Sequence, residues 1–161
     1  MRLTTRHVYG SPPAAVWAMF IDPAFRDDVC AATGASSWTV DIDADDKGGV
    51  ISISRTIPAQ LSKAVATLVG DSVTVVQTET WEAADGDGTR RGTVILDVVG
   101  QPAVMRGTSL LSAGQSETVM AVDGELEVRI PLFGGRLERE LAQALSAGLA
   151  QEHEVGRRYL S

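Results

Sequence analysis

The C-terminal segment, from Gly135 to Leu160, constrains the fold of this chain more than any other stretch. Apolar residues recur there with helical spacing and fall on one side of a helix, while charged and polar residues fall on the other. Roughly 26 residues at ~1.5 Å each would make a helix about 39 Å long. Such a helix is not stable by itself, so we expect the rest of the chain to supply a surface for its apolar side. That side carries Leu137, Leu141, Ala144, Leu145, Gly148, Val155 and Tyr159.

Most of the preceding chain has the alternating polarity of β-strands, divided by short turns rich in glycine and aspartate. Long strands joined by tight turns favour an antiparallel meander over parallel strands with helical crossovers. Between these strands, residues 59–69 are expected to form a loop with a short helix or a turn. The strands are predicted at residues 2–9, 36–44, 50–57, 72–84, 89–99, 103–112 and 116–130, the last with a bulge at Asp123-Gly124.

Two short helices are predicted between the first and second strands. Ser11 is a candidate N-cap for a helix from Pro13 to about Ile21, and Asp22 is a candidate N-cap for a second helix that ends near Gly34. A strand, two short helices, six strands and a long helix make an α+β chain, which we interpret as a single domain over residues 1–161. The sheet would bury one face against the terminal helix.

Composition excludes several classes of function. The net charge is −7 and no more than two basic residues are adjacent, so the chain lacks the basic surface that nucleic acids require. No apolar run approaches the ~18 residues of a membrane span, and no apolar segment follows Met1, so we expect neither a membrane span nor a signal peptide. The single cysteine, Cys30, suits a reducing compartment, and a cytoplasmic location is expected.

Motifs for metals, cofactors and nucleophilic catalysis are missing from the sequence. The two histidines, His7 and His153, lie at opposite ends of the chain, and Cys30 has no partner nearby, so no metal-ligand spacing is present. There is no glycine-rich phosphate loop and no nucleophile elbow. We therefore predict no catalytic residue, no metal and no cofactor.

Local signatures give the chain a family resemblance. Residues 9–17 (YGSPPAAVW), followed by Asp22-Pro23, and residues 130–138 (IPLFGGRLE) resemble two helix entries of the START/Bet v 1-like helix-grip superfamily, also called the polyketide cyclase or SRPBCC group. Residues 22–26 (DPAFR) and 77–81 (QTETW) are most similar to its bacterial DUF2505 family. The resemblance implies a curved seven-stranded antiparallel sheet wrapped around the C-terminal helix. It also implies a cavity between them, where superfamily members bind lipids, sterols or polyketides and a minority catalyse reactions; DUF2505 brings no assigned substrate.

Two residues interrupt the apolar side of the terminal helix. Glu152 lies near the centre of that side, so its carboxylate should point toward the sheet, where burial would raise its pKa and make it a general acid or a ligand anchor. Alternatively, Glu152 lies near the helix end and reaches water. Gly148 removes side-chain bulk from the same side, which either admits close packing of helix and sheet or leaves room for a ligand.

Polar residues on two strands are further candidates. Gln77, Glu79 and Trp81 share one face of their strand; this face enters the cavity, unless Val76 marks the inner face and they are solvated. Arg55 would pair with Glu79 or Glu152, or end its strand in water.

Aromatic and apolar residues complete the set of candidates. His7 shares a face with Leu3 and Tyr9, and we interpret it as a core or rim histidine rather than a catalytic one. Trp38 and Trp81 are expected in the core, with the floor of a pocket as the alternative. The predicted ligand-binding residues are Glu152, Gly148, Glu79, Gln77, Trp81, Trp38, Arg55, His7, Leu145 and Met120.

These features favour a protein that binds a hydrophobic or amphipathic small molecule, lipid-like or polyketide-like, between the terminal helix and the sheet. One alternative is a cyclase- or hydratase-type enzyme. It would need at least two of Glu152, Glu79, His7 and Arg55 within hydrogen-bond reach of one pocket. Another is a protein-interaction module with a filled core. We expect a monomer or a homodimer.

Overall fold

The computed structural model describes all 161 residues and contains one seven-stranded sheet and four helices. The predicted α+β architecture is confirmed, and the bounds of its elements differ from the predicted ones by only a few residues. None of the four helices combines the length and hydropathy that crossing a membrane requires. In chain order the elements are β1 (Arg2–Tyr9), α1 (Pro13–Phe20), α2 (Pro23–Ala32), β2 (Ser37–Asp45), β3 (Gly48–Pro58), α3 (Lys63–Val69), β4 (Ser72–Trp81), β5 (Arg90–Val98), β6 (Ala103–Ala113), β7 (Thr118–Val128) and α4 (Gly134–Tyr159).

The sheet is antiparallel throughout, in the order β1-β7-β6-β5-β4-β3-β2. Each strand from β2 to β6 pairs with the next one along the chain, and β1 pairs with β7. The predicted bulge at Asp123-Gly124 is wrong, because the pairing of β6 and β7 continues unbroken through these residues. Gly107 and Gly124 lie opposite each other there, and a Cβ on Gly107 would lie 2.7 Å from Cα of Gly124. The two glycines therefore allow β6 and β7 to pair closely, and they do not mark a bulge.

The two entry helices begin differently. Asp22 caps α2 as predicted, since its Oδ1 accepts a hydrogen bond from the backbone N–H of Ala24 at 2.9 Å. The predicted cap at Ser11 is wrong: α1 begins after Pro12 and no side chain caps it. The carbonyl of Ser11 instead accepts a hydrogen bond from Oγ1 of the buried Thr118 at 2.8 Å, which ties the loop before α1 to β7.

The terminal helix α4 packs against β1, β7 and α2, but its apolar side is buried unevenly. Leu137 and Val155, near its two ends, are buried, whereas Ala144 is exposed and Leu145 is half-buried. Tyr159 was predicted on the apolar side but is 43% exposed, because its ring lies across α2, where its hydroxyl donates to Asp22. The helix is therefore packed at its ends and leaves open space beneath its middle.

Gly156 permits a close approach of α4 to β1. A Cβ at this position would lie 2.7 Å from Cε1 of Tyr9 and 3.0 Å from Cε of Met19. Both neighbours are buried, with Tyr9 only 1% exposed, so neither has room to move away easily. The close packing that the sequence offered as one explanation of Gly148 occurs here instead.

Candidate ligand-binding site

A cavity of about 380 Å³ lies between the middle of α4 and the inner face of the sheet. Of the 29 residues that line it, 18 are hydrophobic, so its walls are mainly apolar. The core beneath α4 is not filled, contrary to one of the alternatives drawn from the sequence. The sheet places alternate side chains in the wall, among them Val75, Val94, Leu96, Met105, Met120 and Val122.

The cavity opens to solvent beside the middle of α4. Ala144 and Ala147 line the cavity and are nevertheless exposed. So are Pro58 and Gln60, just before α3, and Gly34, just after α2. These residues come from three separate segments of the chain, which together surround the mouth.

Gly148 widens this mouth. A Cβ on Gly148 would have no atom within 4 Å apart from its own helical neighbourhood, so no close packing requires a glycine there. The alternative in which Gly148 admits close helix–sheet packing is therefore wrong. Leu145, one turn earlier on α4, also lines the cavity.

Strand β4 directs Gln77 and Glu79 into the cavity, where they are 7% and 5% exposed. The inner face of β4 therefore carries Gln77 and Glu79, and Val76 lies on the opposite face. Trp81, on the same face, lies beyond the cavity lining: its ring packs on Trp17 at a centroid distance of 5.8 Å. Its Nε1 donates to Oε2 of Glu79 at 2.8 Å, so Trp81 holds the Glu79 carboxylate in place without itself lining the cavity.

Arg26 is the cation at the centre of a buried polar cluster that also contains Gln77, Glu79 and Glu152. It was not among the residues predicted from the sequence. Its side chain is 0% exposed, and its Cζ lies 5.0 Å from the ring centre of Phe20 and 5.6 Å from that of Phe25. Its Nε donates to the carbonyl of Phe20 at 2.8 Å. Helical spacing from the buried Val29 and Cys30 was the signal that could have found it.

Glu79 has every acceptor position occupied. Nη1 and Nη2 of Arg26 donate to its two oxygens at 3.2 Å each, and Gln77 and Trp81 supply two more donors. A carboxylate offers about four such positions. Burial acts to lower the pKa of Arg26, but the negative charges of Glu79 and Glu152 outweigh it and the pKa is raised. Arg26 therefore stays charged.

Glu152 is buried on α4, at 9% exposure, so the alternative that places it in water is wrong. Its Oε2 lies 3.8 Å from Nη1 of Arg26, and its carboxylate accepts no hydrogen bond from the protein. Burial and the negative charge of Glu79 raise the pKa of Glu152. The positive charges of Arg26 and Arg55 oppose this rise. Glu152 is therefore the carboxyl in the cavity that remains available to a ligand.

Arg55, on β3, lines the cavity and is half-buried. It forms no ion pair with Glu79 or Glu152, which the sequence had offered as partners. Instead its Nη2 donates to Oε1 of Gln77 at 3.2 Å. The amide of Gln77 thus joins Arg55 to Glu79, since its Nε2 donates to Oε1 of Glu79 at 2.5 Å.

Two further predicted residues lie outside the lining. Trp38 donates from Nε1 to Oδ1 of Asp27 at 2.9 Å, which holds its indole against α2. His7 stacks on His153 with ring centroids 4.8 Å apart, between β1 and α4, and its Nε2 has no partner. Burial, and then the charge of His153, lower the pKa of His7. The seven predicted residues that the structure places in the lining are Glu152, Gly148, Glu79, Gln77, Arg55, Leu145 and Met120.

The site thus combines an apolar cavity with three charged side chains in its wall: Arg55, Glu79 and Glu152. Such a wall can hold the polar end of a ligand or exchange a proton with it. No group of three or more histidine, cysteine, aspartate or glutamate side chains is arranged to hold a metal ion.

The element order, the antiparallel sheet and the cavity beneath α4 define a protein of the START/Bet v 1-like helix-grip class. Within that class, the family described as "Protein of unknown function (DUF2505)" matches residues 4–160, so the chain belongs to this family. The predicted DUF2505 family is therefore confirmed, and the observed architecture is the predicted helix-grip fold. No curated protein matches the sequence.

Solved structures from several organisms have the same fold. TTHA0849 from Thermus thermophilus is 16% identical with a TM-score of 0.66, over 100% of both chains. The Zhui aromatase/cyclase from Streptomyces sp. R1128 is 9% identical with a TM-score of 0.65, over 99% of this chain and 93% of that one. Norcoclaurine synthase from Thalictrum flavum is 11% identical with a TM-score of 0.59, over 99% and 86%. At these identities the likeness concerns the fold alone.

Proposed function

We propose that this protein binds a hydrophobic or amphipathic small molecule, lipid-like or polyketide-like, in the cavity between α4 and the sheet. The observation that carries the proposal is the cavity itself: about 380 Å³, with 18 hydrophobic residues among the 29 that line it. Pockets for small molecules span roughly 300–1,000 Å³ and are mainly apolar with a few placed polar groups. The body of the ligand would lie on the valines and leucines of β4 and β5, and its polar end beside Glu152.

The cost of leaving this space empty supports the proposal. A protein core normally packs as densely as an organic crystal, and unfilled apolar volume destabilises the folded state. Water is a poor occupant of such a space, since it finds few hydrogen-bonding partners along an apolar wall. A ligand with an apolar body would fill the volume, and it would gain roughly 25 cal/mol per Å² of apolar surface removed from water.

Native mass spectrometry of the purified chain, followed by extraction and identification of any bound molecule, is the direct test. Displacement of the fluorescent probe anilinonaphthalene sulfonate provides an affinity. Gly148→Phe places a large ring at the mouth, where a Cβ would have no atom within 4 Å, and should weaken probe binding about tenfold or more while the protein stays folded.

The control for this variant is Ala150→Phe, on the exposed side of the same helix and outside the cavity lining. It adds the same ring to α4 and should leave probe binding unchanged. Equal affinities for the two variants would place the probe elsewhere and count against the proposal.

A cyclase- or hydratase-type enzyme is the second candidate, and a specific observation favours it. Glu152, Glu79 and Arg55 line one cavity, which is the convergence that this hypothesis requires, although His7 takes no part. Glu79 accepts four hydrogen bonds already, so Glu152 would act as the acid or base. Incubating the extracted ligand with fresh protein tests this. A change in ligand mass that is lost in Glu152→Gln supports catalysis, and recovery of unchanged ligand leaves binding as the function.

A further inference from the structure

We infer that the cavity selects an amphipathic monocarboxylic acid, whose carboxylate binds the guanidinium of Arg55 and accepts a hydrogen bond from the carboxyl of Glu152. This inference rests on the proposed function and deepens it, because it names the polar end of the ligand. It follows from which donors and acceptors of the buried cluster are already used within the protein and which are left facing the cavity.

Arg55 has donors to spare. A guanidinium carries five N–H donors; the hydrogen bond to Oε1 of Gln77 uses one of them, and the thiol of Cys30 lies beside the same guanidinium. No carboxylate of the chain forms an ion pair with Arg55, although its side chain lines a mainly apolar cavity. A cation in such surroundings requires an acceptor, and a carboxylate matches the planar, two-pronged geometry of guanidinium better than a hydroxyl or a carbonyl does.

The buried cluster also explains why Arg55 has no acidic partner within the chain. Arg26 binds both oxygens of Glu79, and Gln77 and Trp81 fill its remaining acceptor positions. Gln77 donates from its nitrogen to Glu79, so its oxygen faces Arg55, because a carboxylate only accepts and a guanidinium only donates. These contacts orient Arg55 through Gln77, and they leave Glu79 no free acceptor position for Arg55.

Glu152 lies on the helical wall of the same cavity and accepts no hydrogen bond from the protein. The ionisable groups that act on it come from four other elements: Arg26 on α2, Glu79 on β4, Arg55 on β3 and Tyr9 on β1. On α4 itself, the neighbouring His153 stacks its ring on His7, and its Nε2 lies 2.7 Å from the carbonyl oxygen of Val8. A ligand carboxylate beside Glu152 would be a like charge, and two adjacent buried carboxylates do not both stay ionised.

Charge balance then predicts what happens to the proton. At a pH above the pKa of Glu152 in the ligand-free protein, two cations, Arg26 and Arg55, face two carboxylates, Glu79 and Glu152. A ligand carboxylate adds a third negative charge, and uptake of one proton from solvent by Glu152 restores neutrality. The protonated Glu152 donates a hydrogen bond to the ligand carboxylate, no covalent bond forms between protein and ligand, and binding of the acid is coupled to the uptake of one proton. Affinity for the acid should therefore fall as the pH rises through the pKa of Glu152 in the complex.

The test compares ligands that share an apolar body and differ in their polar end. Dodecanoic acid, dodecyl alcohol and dodecylamine form one series, and the corresponding naphthyl acid, alcohol and amine form a second, each measured by calorimetry on the full chain. The acid should bind about tenfold more tightly than the alcohol in at least one series, because a charge-assisted pair is stronger than a neutral hydrogen bond. The amine should bind most weakly, because it brings a third cation.

Variants assign the selectivity to the two residues. Arg55→Met should reduce the acid-to-alcohol affinity ratio to about one. Arg106→Met, an exposed position on β6, is the matched control and should leave the ratio unchanged. The ratio is measured within one variant, so partial loss of folded protein cancels. Glu152→Gln keeps a donor but takes up no proton, and it should abolish both the pH dependence of acid binding and the proton uptake seen in buffers of different ionisation enthalpy.

The possible outcomes separate the two proposals. Failure of every ligand in both series to bind overturns the proposed function, and this inference with it. Binding of acid and alcohol with equal affinity, or a preference for the amine, overturns the inference alone and leaves an apolar-ligand site. An acid preference that survives in Arg55→Met also overturns it.

Discussion

Two glycines on α4 mark two regions that meet the sheet in opposite ways. At Gly156 a Cβ would lie 2.7 Å from Cε1 of Tyr9, so the helix backbone packs directly on β1. At Gly148, two turns earlier, a Cβ would have no such neighbour within 4 Å, because the cavity and its mouth lie there. The same residue type therefore serves close contact in the first region and empty space in the second.

The comparison shows how the fold can keep a cavity open. The region around Gly156 is closely packed: the ring of Phe25 contacts that of Tyr159 on α4, and the buried Arg26 lies 3.8 Å from Glu152. Leu137 anchors the other end of the helix. With both ends held, the middle of α4 does not need to rest on the sheet. We therefore expect changes in the packed region to alter stability and changes in the cavity region to alter binding.

The largest effect is expected from Arg26→Met, in the packed region. It leaves Glu79 and Glu152 buried without their cation, and removing one partner of a buried ion pair costs about 3–5 kcal/mol of folding free energy. Urea denaturation provides the measurement. In Arg26→Met with Glu79→Leu the loss should be smaller than the sum of the single losses, because no unpaired Glu79 remains. A loss below about 1 kcal/mol in the single variant would contradict the buried cluster.

Gly156→Ala should destabilise the fold by about 1–2 kcal/mol, since overpacking against Tyr9 and Met19 exceeds the helix-propensity gain of alanine. Thermal or urea unfolding measures the loss. If the variant were as stable as the original chain, the close approach of α4 to β1 at this position would be wrong.

Glu152 connects the two regions, and its titration should be visible in the stability of the protein. Burial raises its pKa above the ordinary 4.5, so the folded chain holds this proton at a pH where the unfolded chain has lost it. Stability should therefore fall as the pH rises from 4.5 through the raised pKa, and Glu152→Gln should remove that fall. Unfolding free energies of both proteins across this range give the comparison. A difference between them that does not grow with pH would show that Glu152 titrates normally.

Gly148→Ala should have the smallest effect, a stabilisation of about 0.5–1 kcal/mol, because alanine favours helix and its methyl group meets no neighbour. The same unfolding assay applies. Because Gly156→Ala is the identical exchange on the same helix, the difference between the two results cancels the propensity term and isolates packing. Destabilisation by Gly148→Ala would mean that the cavity mouth is narrower than the structure has it.

Much of the site followed from periodicity, and its key cation did not. Alternation along β4 put Gln77 and Glu79 on one face, and helical spacing put Gly148 and Glu152 on one side of α4, which is why all four line the cavity. Arg26 was missed because an arginine on a short helix normally lies in solvent. Its burial depends on a carboxylate 53 residues away, on β4, and no local pattern encodes that pairing.

The positions of Trp38 and His7 also depend on contacts with partner side chains. Trp38 and His7 had the right phase for a cavity, but Asp27 and His153 hold their rings elsewhere. Periodicity predicts a face and not a partner, because it contains no information about which distant side chain lies across the interface.

By itself, the sequence determined the elements of this protein and their order: the long amphipathic helix, the antiparallel meander and the cap at Asp22. These depend on spacing and backbone chemistry within a few residues. Only the tertiary structure decided that α4 stays packed at Gly156 and stands off at Gly148, and that Arg26 occupies Glu79 while Glu152 and Arg55 face the cavity. Those outcomes depend on distances between segments far apart in the chain, and a packed interior sets such distances by the fit of all its side chains together.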